Sequence, residues 1–180
     1  MIIAFTGKKH SGKSEASKCL KDFKDINFKD SLIEEVTENF PDLLKELSLA
    51  YRTADIRALF DVKPPLVRLL LQNYGTNVRR KDNENYWVDK WLNSIDIDSN
   101  VVADDVRFLN EAKAVKDSGG IVIRITRPGN ISNDKHISET EMDKIEPDYE
   151  IINSSDKEYL YSEIKKIING EEGRENVGRD

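Results

Sequence analysis

The chain has 180 residues, a formal net charge of −6, 38% hydrophobic and 34% charged residues, and one cysteine. That length suits a single domain with a sizeable core, and the acidic balance argues against a surface that coats nucleic acid. Cys19 cannot form an internal disulfide, no apolar run approaches the ~20 residues of a membrane span, and no leader pattern is visible, so a cytoplasmic protein is expected.

Ile2, Ile3, Ala4 and Phe5 read as a buried strand. Gly7-Lys8-Lys9-His10-Ser11-Gly12-Lys13-Ser14 follows, the pattern G-x-x-x-x-G-K-[ST] of a phosphate-binding loop. Gly7 and Gly12 let the backbone wrap close to a polyphosphate, and the loop's N–H groups converge on its oxygens at the positive end of the next helix. Lys13 can reach the β- and γ-phosphates, and the Ser14 hydroxyl is placed to ligate Mg²⁺. Gly7, Lys9, Ser11, Gly12, Lys13 and Ser14 are the candidate nucleoside-triphosphate-binding positions.

Ala16, Cys19, Leu20 and Phe23 then fall on one helical face, and a short second strand is expected at Ile26 to Lys29. Ser31-x-x-Glu34 reads as a capping box opening a helix with Leu32, Ile33, Val36 and Phe40 inward. Asp42 to Phe60 is again helical in pattern and carries Arg52 and Arg57. Pro64-Pro65 opens a further helix with Gly75 as its C-terminal cap, followed by a polar stretch, Thr76 to Glu84, that holds Arg79 and Arg80. Trp87, Val88, Trp91, Leu92 and Ile95 recur at helical steps, and the tryptophans read as core anchors rather than base-stacking groups.

Asn100 to Asp104 reads as a buried strand running into Asp105-Val106-Arg107, and Phe108, Ala112 and Val115 line a helix closed by Gly119-Gly120. Ile121 to Ile125 is a strand ending at Thr126-Arg127-Pro128, and Gly129 to Lys135 has the composition of a mobile loop. Tyr149 to Ile152 is a last strand, and a second capping box, Ser155-x-x-Glu158, starts a closing helix. Residues 171–180 read as a frayed, disordered tail.

Strands separated by helices imply a parallel sheet of about five strands with helices on both faces, and a ligand at the strand carboxyl ends. Those ends carry Gly7 to Ser14, Asp104 to Arg107, and Arg127, which are expected in one site. The guanine-reading pattern [NT]-K-x-D is absent, and the strand ends in Asp104-Asp105 rather than the Asp-Glu of an ATP-driven motor. Arg68, Arg79, Arg80, Arg107 and Arg127 supply positive charge suited to two phosphorylated substrates, so a kinase of a phosphorylated small molecule is expected.

The stretches Leu71-Gln72-Asn73-Tyr74-Gly75-Thr76-Asn77-Val78-Arg79-Arg80, Tyr86-Trp87-Val88, Asp105-Val106-Arg107-Phe108-Leu109-Asn110-Glu111, Arg127-Pro128 and His136-Ile137-Ser138-Glu139 occur in this order. Together they resemble the deoxynucleoside monophosphate kinases encoded by tailed bacteriophages. The resemblance implies an adenylate-kinase-like P-loop core over residues 1–170, a helical monophosphate-binding region at about 30–95 and a lid at about 127–140. It also implies transfer from ATP to a deoxynucleoside monophosphate. Residue by residue, it makes Lys13 and Ser14 the phosphate-loop pair, Arg80 the acceptor-phosphate contact, Asp105 the Mg²⁺-shell carboxylate, Arg107 a phosphate clamp and Arg127 a lid-side arginine. Asp104 stays open as the alternative carboxylate, and His136 and Glu139 as lid or capping residues. Glu15, where a threonine or small residue is common, and Leu109, in place of a proline, depart from the pattern. A dephospho-coenzyme A kinase and a nucleotide-binding module without turnover are the competing readings, and base preference and any homodimer stay open.

Overall fold

Five strands form one sheet in the order β2-β3-β1-β4-β5, with every neighbouring pair parallel. They are β1 (Ile2–Thr6), β2 (Lys24–Asp25), β3 (Val101–Val106), β4 (Ile121–Thr126) and β5 (Tyr149–Ile152) in a computed structural model that describes residues 1–130 and 136–177. β1 is central and wholly buried, which is why Ile2 to Phe5 are apolar without alternation. Ile3, Phe5, Val102, Ile123, Ile125 and Ile151 pack against Ala16, Leu20, Leu160, Ile164 and Ile168. That places α1 (Lys13–Lys18) and α9 (Lys157–Val177) over one face, while α7 (Leu109–Asp117) lies against β1 and β4. Gly120 makes the α7 packing possible, because an added Cβ would come within 2.8 Å of Ile2 Cβ.

The chain divides into two compact units, Met1–Asn27 with Ile95–Asp180, and Phe28–Ser94. The second is helical: α2 (Phe28–Asn39), α3 (Pro41–Ala50), α4 (Ile56–Val62), α5 (Pro65–Gln72), a π-helix (Asn73–Arg80) and α6 (Tyr86–Ser94). Its core joins Val36, Leu44, Leu47, Leu59, Phe60, Val67, Tyr74 and Trp87. Trp91 stacks on Phe28 at 4.6 Å between ring centroids, and Trp87 Nε1 donates to Gly75 O at 3.0 Å, so both tryptophans are core anchors.

Several local expectations are corrected. The second strand lies at Lys24–Asp25, and Phe28 already opens α2, so Ser31 is inside that helix instead of capping it. Asp42 to Phe60 is two helices, parted where Arg52 takes φ 52° and Asp55 caps α4 by accepting from Ala58 N at 2.8 Å. Gly75 does not end a helix, because α5 passes straight into the π-helix, and a Cβ on Gly75 would lie only 3.1 Å from Leu32 Cδ2. Asp156, not Ser155, caps α9, accepting from Tyr159 N at 2.9 Å. α9 continues to Val177 through the segment whose composition suggested a tail. Residues 131–135 of the expected mobile loop, and 178–180, lie outside the described residues.

Candidate active site

Two glycines shape the loop between β1 and α1. Gly7 has φ +136° and Gly12 φ +113°, a region that side chains rarely adopt. Space forbids a side chain as well: a Cβ on Gly7 would meet Ile125 O at 2.2 Å, and one on Gly12 would meet Asn153 Nδ2 at 2.6 Å. Lys13 Nζ folds over the loop and donates to Gly7 O at 2.6 Å and Lys8 O at 3.0 Å. Thr6 Oγ1 and Ser11 Oγ are buried with no hydrogen-bond partner among the described residues. Orphaned hydroxyls are costly in a dry interior, so a polar ligand is the natural completion of this hollow.

Beside the loop, β3 carries an irregularity. Ala4 pairs with Ala103 but Thr6 pairs with Val106, so β3 holds one extra residue at Asp104-Asp105. Such bulges re-aim side chains at functional edges. Asp104 is buried and its N–H donates to Asn27 Oδ1 at 2.7 Å, whereas Asp105 is half-buried. Arg107 follows the strand directly. Its N–H and that of Phe108 donate to Glu111 Oε2 at 2.9 and 3.1 Å, so this buried carboxylate pins the turn that carries Arg107. The last Glu of Asp105-Val106-Arg107-Phe108-Leu109-Asn110-Glu111 therefore has a positioning job.

At the end of β4 an open cavity of about 210 Å³ is lined by Gly7, Lys8, Ser11, Thr126, Arg127, Asn130 and Asp143. Lys8 Nζ pairs with Asp143 at 2.7 Å, and Asn130 Nδ2 donates to Lys9 O at 2.6 Å. Arg127 is exposed on the cavity's edge. His136 caps the short α8 (Ile137–Thr140), its Nδ1 accepting from Ser138 N at 3.3 Å, while the side chain of Glu139 lies outside the described residues. Glu15 works as a strut: Tyr161 Oη donates to it at 2.6 Å and Lys157 Nζ at 2.5 Å. Bonds from Lys157 and then Tyr161 pull its carboxyl down to about 2.

The phosphate loop follows β1, Arg107 follows β3, whose carboxyl-terminal half holds Asp104 and Asp105, and Arg127 follows β4, so all sit toward the carboxyl ends of three adjacent strands. Arg68, Arg79 and Arg80 belong instead to the helical unit. Arg80 is half-buried at the last position of the π-helix. Its neighbour Arg79 is committed to Glu35, with Nε at 2.9 Å and Nη2 at 2.8 Å, and lies 5.2 and 5.1 Å from the ring centroids of Tyr74 and Tyr86. Glu35 also accepts from Tyr74 Oη at 3.2 Å, Lys90 Nζ at 3.1 Å and Tyr86 Oη. Burial pushes the Glu35 carboxyl up, but bonds from Tyr86 and Lys90 and the Arg79 charge outweigh it and hold the group below its ordinary range.

The family model for deoxynucleotide monophosphate kinase matches residues 52–164. A protein of Acanthamoeba polyphaga mimivirus, provisionally named as such a kinase, is 32% identical over 191 residues, covering 93% of this chain and 96% of its own length. The chain belongs to the deoxynucleotide monophosphate kinase family. The kinase of that name from Escherichia phage RB69 is 37% identical over 108 residues, spanning 57% of this chain but 44% of the phage protein. The solved shikimate kinase of Aquifex aeolicus vf5 aligns with a TM-score of 0.48 at 16% identity, covering 95% of this chain and 98% of its own.

The stretch matched by the kinase family contains Arg80, Asp105, Arg107 and Arg127, and the mimivirus match takes in nearly all of the chain. Two polar residues of this kinase went unnoticed in the sequence, Glu35 and Asn153, and Glu111 stood in a quoted stretch without a role of its own. Glu35 had a faint signal, since it stands beside Val36 and three residues after Leu32, within the apolar stripe of α2. Asn153 had another, as the first residue beyond the last buried strand.

Ser14, in the first turn of α1, and the Asp105 carboxylate of β3, with Asp104 as alternate, would offer oxygen donors only, which suits a hard cation such as Mg²⁺. Among the described residues no group of three or more His, Cys, Asp or Glu side chains could hold a metal by itself. The ion would therefore draw its remaining ligands from nucleotide phosphates and water, as Mg²⁺ sites commonly do.

Proposed function

We propose that this kinase moves the γ-phosphoryl group of ATP to a deoxynucleoside 5′-monophosphate. An oxygen of the acceptor phosphate forms the new bond to the γ-phosphorus, the bond from that phosphorus to the β–γ bridging oxygen breaks, and ADP leaves with the deoxynucleoside diphosphate as co-product. The observation that carries the reading is the loop itself: two positive-φ glycines, Lys13 folded over their carbonyls, and the bulged Asp104-Asp105 on the adjacent strand. Family membership supports the acceptor class.

In this reading Gly7, Lys9, Ser11 and Gly12 surround the triphosphate, and Lys13 releases its carbonyl bonds to follow the β- and γ-phosphates. Arg107 clamps phosphate oxygens, Arg127 serves the lid side, and Arg80 seats the acceptor phosphate. Ser14 and Asp105 would hold Mg²⁺, whose charge offsets that of the β- and γ-phosphates. Residues about 30–95 act as the acceptor-binding region and about 127–140 as the lid; the compactness of the helical unit supports the first assignment. A cytoplasmic setting, the host's if the gene is viral, fits a chain in which no described helix is long and apolar enough to cross a membrane.

The test is an acceptor panel with ATP and Mg²⁺: each deoxy- and ribonucleoside monophosphate, plus dephospho-coenzyme A. ADP release with at least one deoxynucleoside monophosphate is expected. Activity on dephospho-coenzyme A alone would overturn the proposal.

A further inference from the structure

The phosphate loop must aim its N–H groups inward, so its carbonyls face away from the ligand and need donors of their own. Lys13 serves two of them, at Gly7 and Lys8. The Ser11 carbonyl is served from outside the loop: Asn153 Nδ2 donates to it at 2.8 Å. Asn153 stands immediately after β5, is 5% exposed, and is itself anchored by its backbone N–H, which donates to Thr126 O at 2.7 Å. A Cβ on Gly12 would come within 2.6 Å of the Asn153 amide nitrogen, so the amide and the Gly12 backbone are in direct apposition.

The consequence follows from peptide geometry. Ser11 C=O and Gly12 N–H belong to one peptide unit, which is planar and trans, so the two groups point in opposite directions. Tethering the carbonyl on one side therefore aims the N–H on the other. Gly12 needs this help, because a glycine at φ +113° has no side chain to hold its peptide plane. We propose that Asn153 is a positioning residue for the nucleotide: by holding the Ser11 carbonyl, it orients the Gly12 N–H toward the phosphates of ATP. The inference rests on the nucleotide-site reading above and extends it to a residue on a different strand, 142 positions away in sequence.

A merely structural asparagine would affect both substrates alike when lost, or neither. A positioning asparagine splits them. Asn153→Ala leaves a buried carbonyl without its donor, and with it a loop free to rotate the Gly12 peptide. The KM for ATP, and the Kd for ATP with Mg²⁺ by calorimetry, should rise roughly ten-fold, while the KM for the acceptor stays within about two-fold. Asn153→Asp keeps the size but sets a carboxylate against the Ser11 carbonyl and near the triphosphate, so the rise should be larger, roughly a hundred-fold. In ¹⁵N-labelled wild type the Gly12 amide resonance should shift downfield on nucleotide addition, and in Asn153→Asp that shift should shrink. Far-UV dichroism confirms that each variant is folded, and if alanine fails to fold, the isosteric aspartate carries the test. Wild-type ATP affinity in both folded variants would overturn the role of Asn153 while leaving the nucleotide site intact. Equal rises in the KM values for ATP and acceptor would overturn it too, as would no ATP binding by the wild-type chain, which would remove the nucleotide-site reading as well.

Discussion

Replacing Glu35 with glutamine removes one negative charge from the centre of the helical unit while keeping its shape. The carboxylate there is buried and accepts from Arg79, Lys90, Tyr74 and Tyr86, which come from the π-helix and α6 onto α2. Each charge-assisted bond is nominally worth ~1.5–3 kcal/mol, but these share one acceptor and are not additive. The side chains of Arg79 and Lys90 are 36% and 44% exposed, so solvent screens their share of the attraction. A buried pair broken from one side costs ~3–5 kcal/mol; with that screening, about 3 kcal/mol is expected. At ~2–4 °C per kcal/mol for a chain of this size, the melting temperature should fall by roughly 6–12 °C. The cost should also depend on pH. The folded-state carboxyl lies below its ordinary value, so its contribution is fully present above that value and drains away as pH falls through the lowered one. Thermal unfolding followed by circular dichroism should therefore show a wide gap between wild type and Glu35→Gln at about pH 7, narrower at an acid pH below the lowered carboxyl value. A gap of the same width at both pH values, or a fall under ~2 °C at neutral pH, would refute the reasoning.

Lys13→Met should lower kcat by at least about a hundred-fold, because the charge neutralising the moving phosphoryl group is lost. Its stability cost should stay near ~1–2 kcal/mol, since Lys13 also bonds Gly7 O and Lys8 O, and a chemical melt beside the kinetics separates the two effects. Asp105→Asn should slow transfer and raise the Mg²⁺ concentration needed for half activity, whereas Asp104→Asn should chiefly lower stability, as Asp104 is the buried member of the bulge; the reverse pattern in a Mg²⁺ titration would exchange their roles. Arg80→Ala should raise the KM for the acceptor by roughly ten- to a hundred-fold and leave the KM for ATP nearly unchanged, as expected for loss of a charge-assisted contact of ~1.5–3 kcal/mol.

The sheet and the phosphate loop were legible because their signals are local. Ile2 to Phe5 is a short apolar run, Ile121 to Ile125 is apolar but for Arg124, and the loop's spacing of Gly7, Gly12, Lys13 and Ser14 is dictated by what a phosphate requires. Trp87 and Trp91 announced a buried helix face by their four-residue interval. Where the reading slipped, two local rules competed. Gly75 looks like a helix stop, yet its lack of a side chain serves close packing against Leu32, and the backbone stays helical through Arg80. Ser31 and Ser155 carry capping-box spacing, but the chain had already turned helical at Phe28, and Asp156 offers the nearer cap for α9.

Sequence alone determined most of the sheet and the pattern of the loop after β1, since both follow from side-chain pattern and spacing along a few residues. Tertiary structure decided how the charges are spent. Adjacent arginines 79 and 80 look alike in sequence, and only the approach of Glu35, 44 residues away, commits Arg79 to holding helices together. Asp104 and Asp105 look alike too, until an extra residue in β3 relative to β1 buries one and leaves the other half-buried. Asn153 acquires meaning when β5 sets it against the Ser11 carbonyl. The reason is common to all three: a polar group's role is set by the partner that satisfies it in a low-dielectric interior, and that partner arrives through folding from a distant part of the chain.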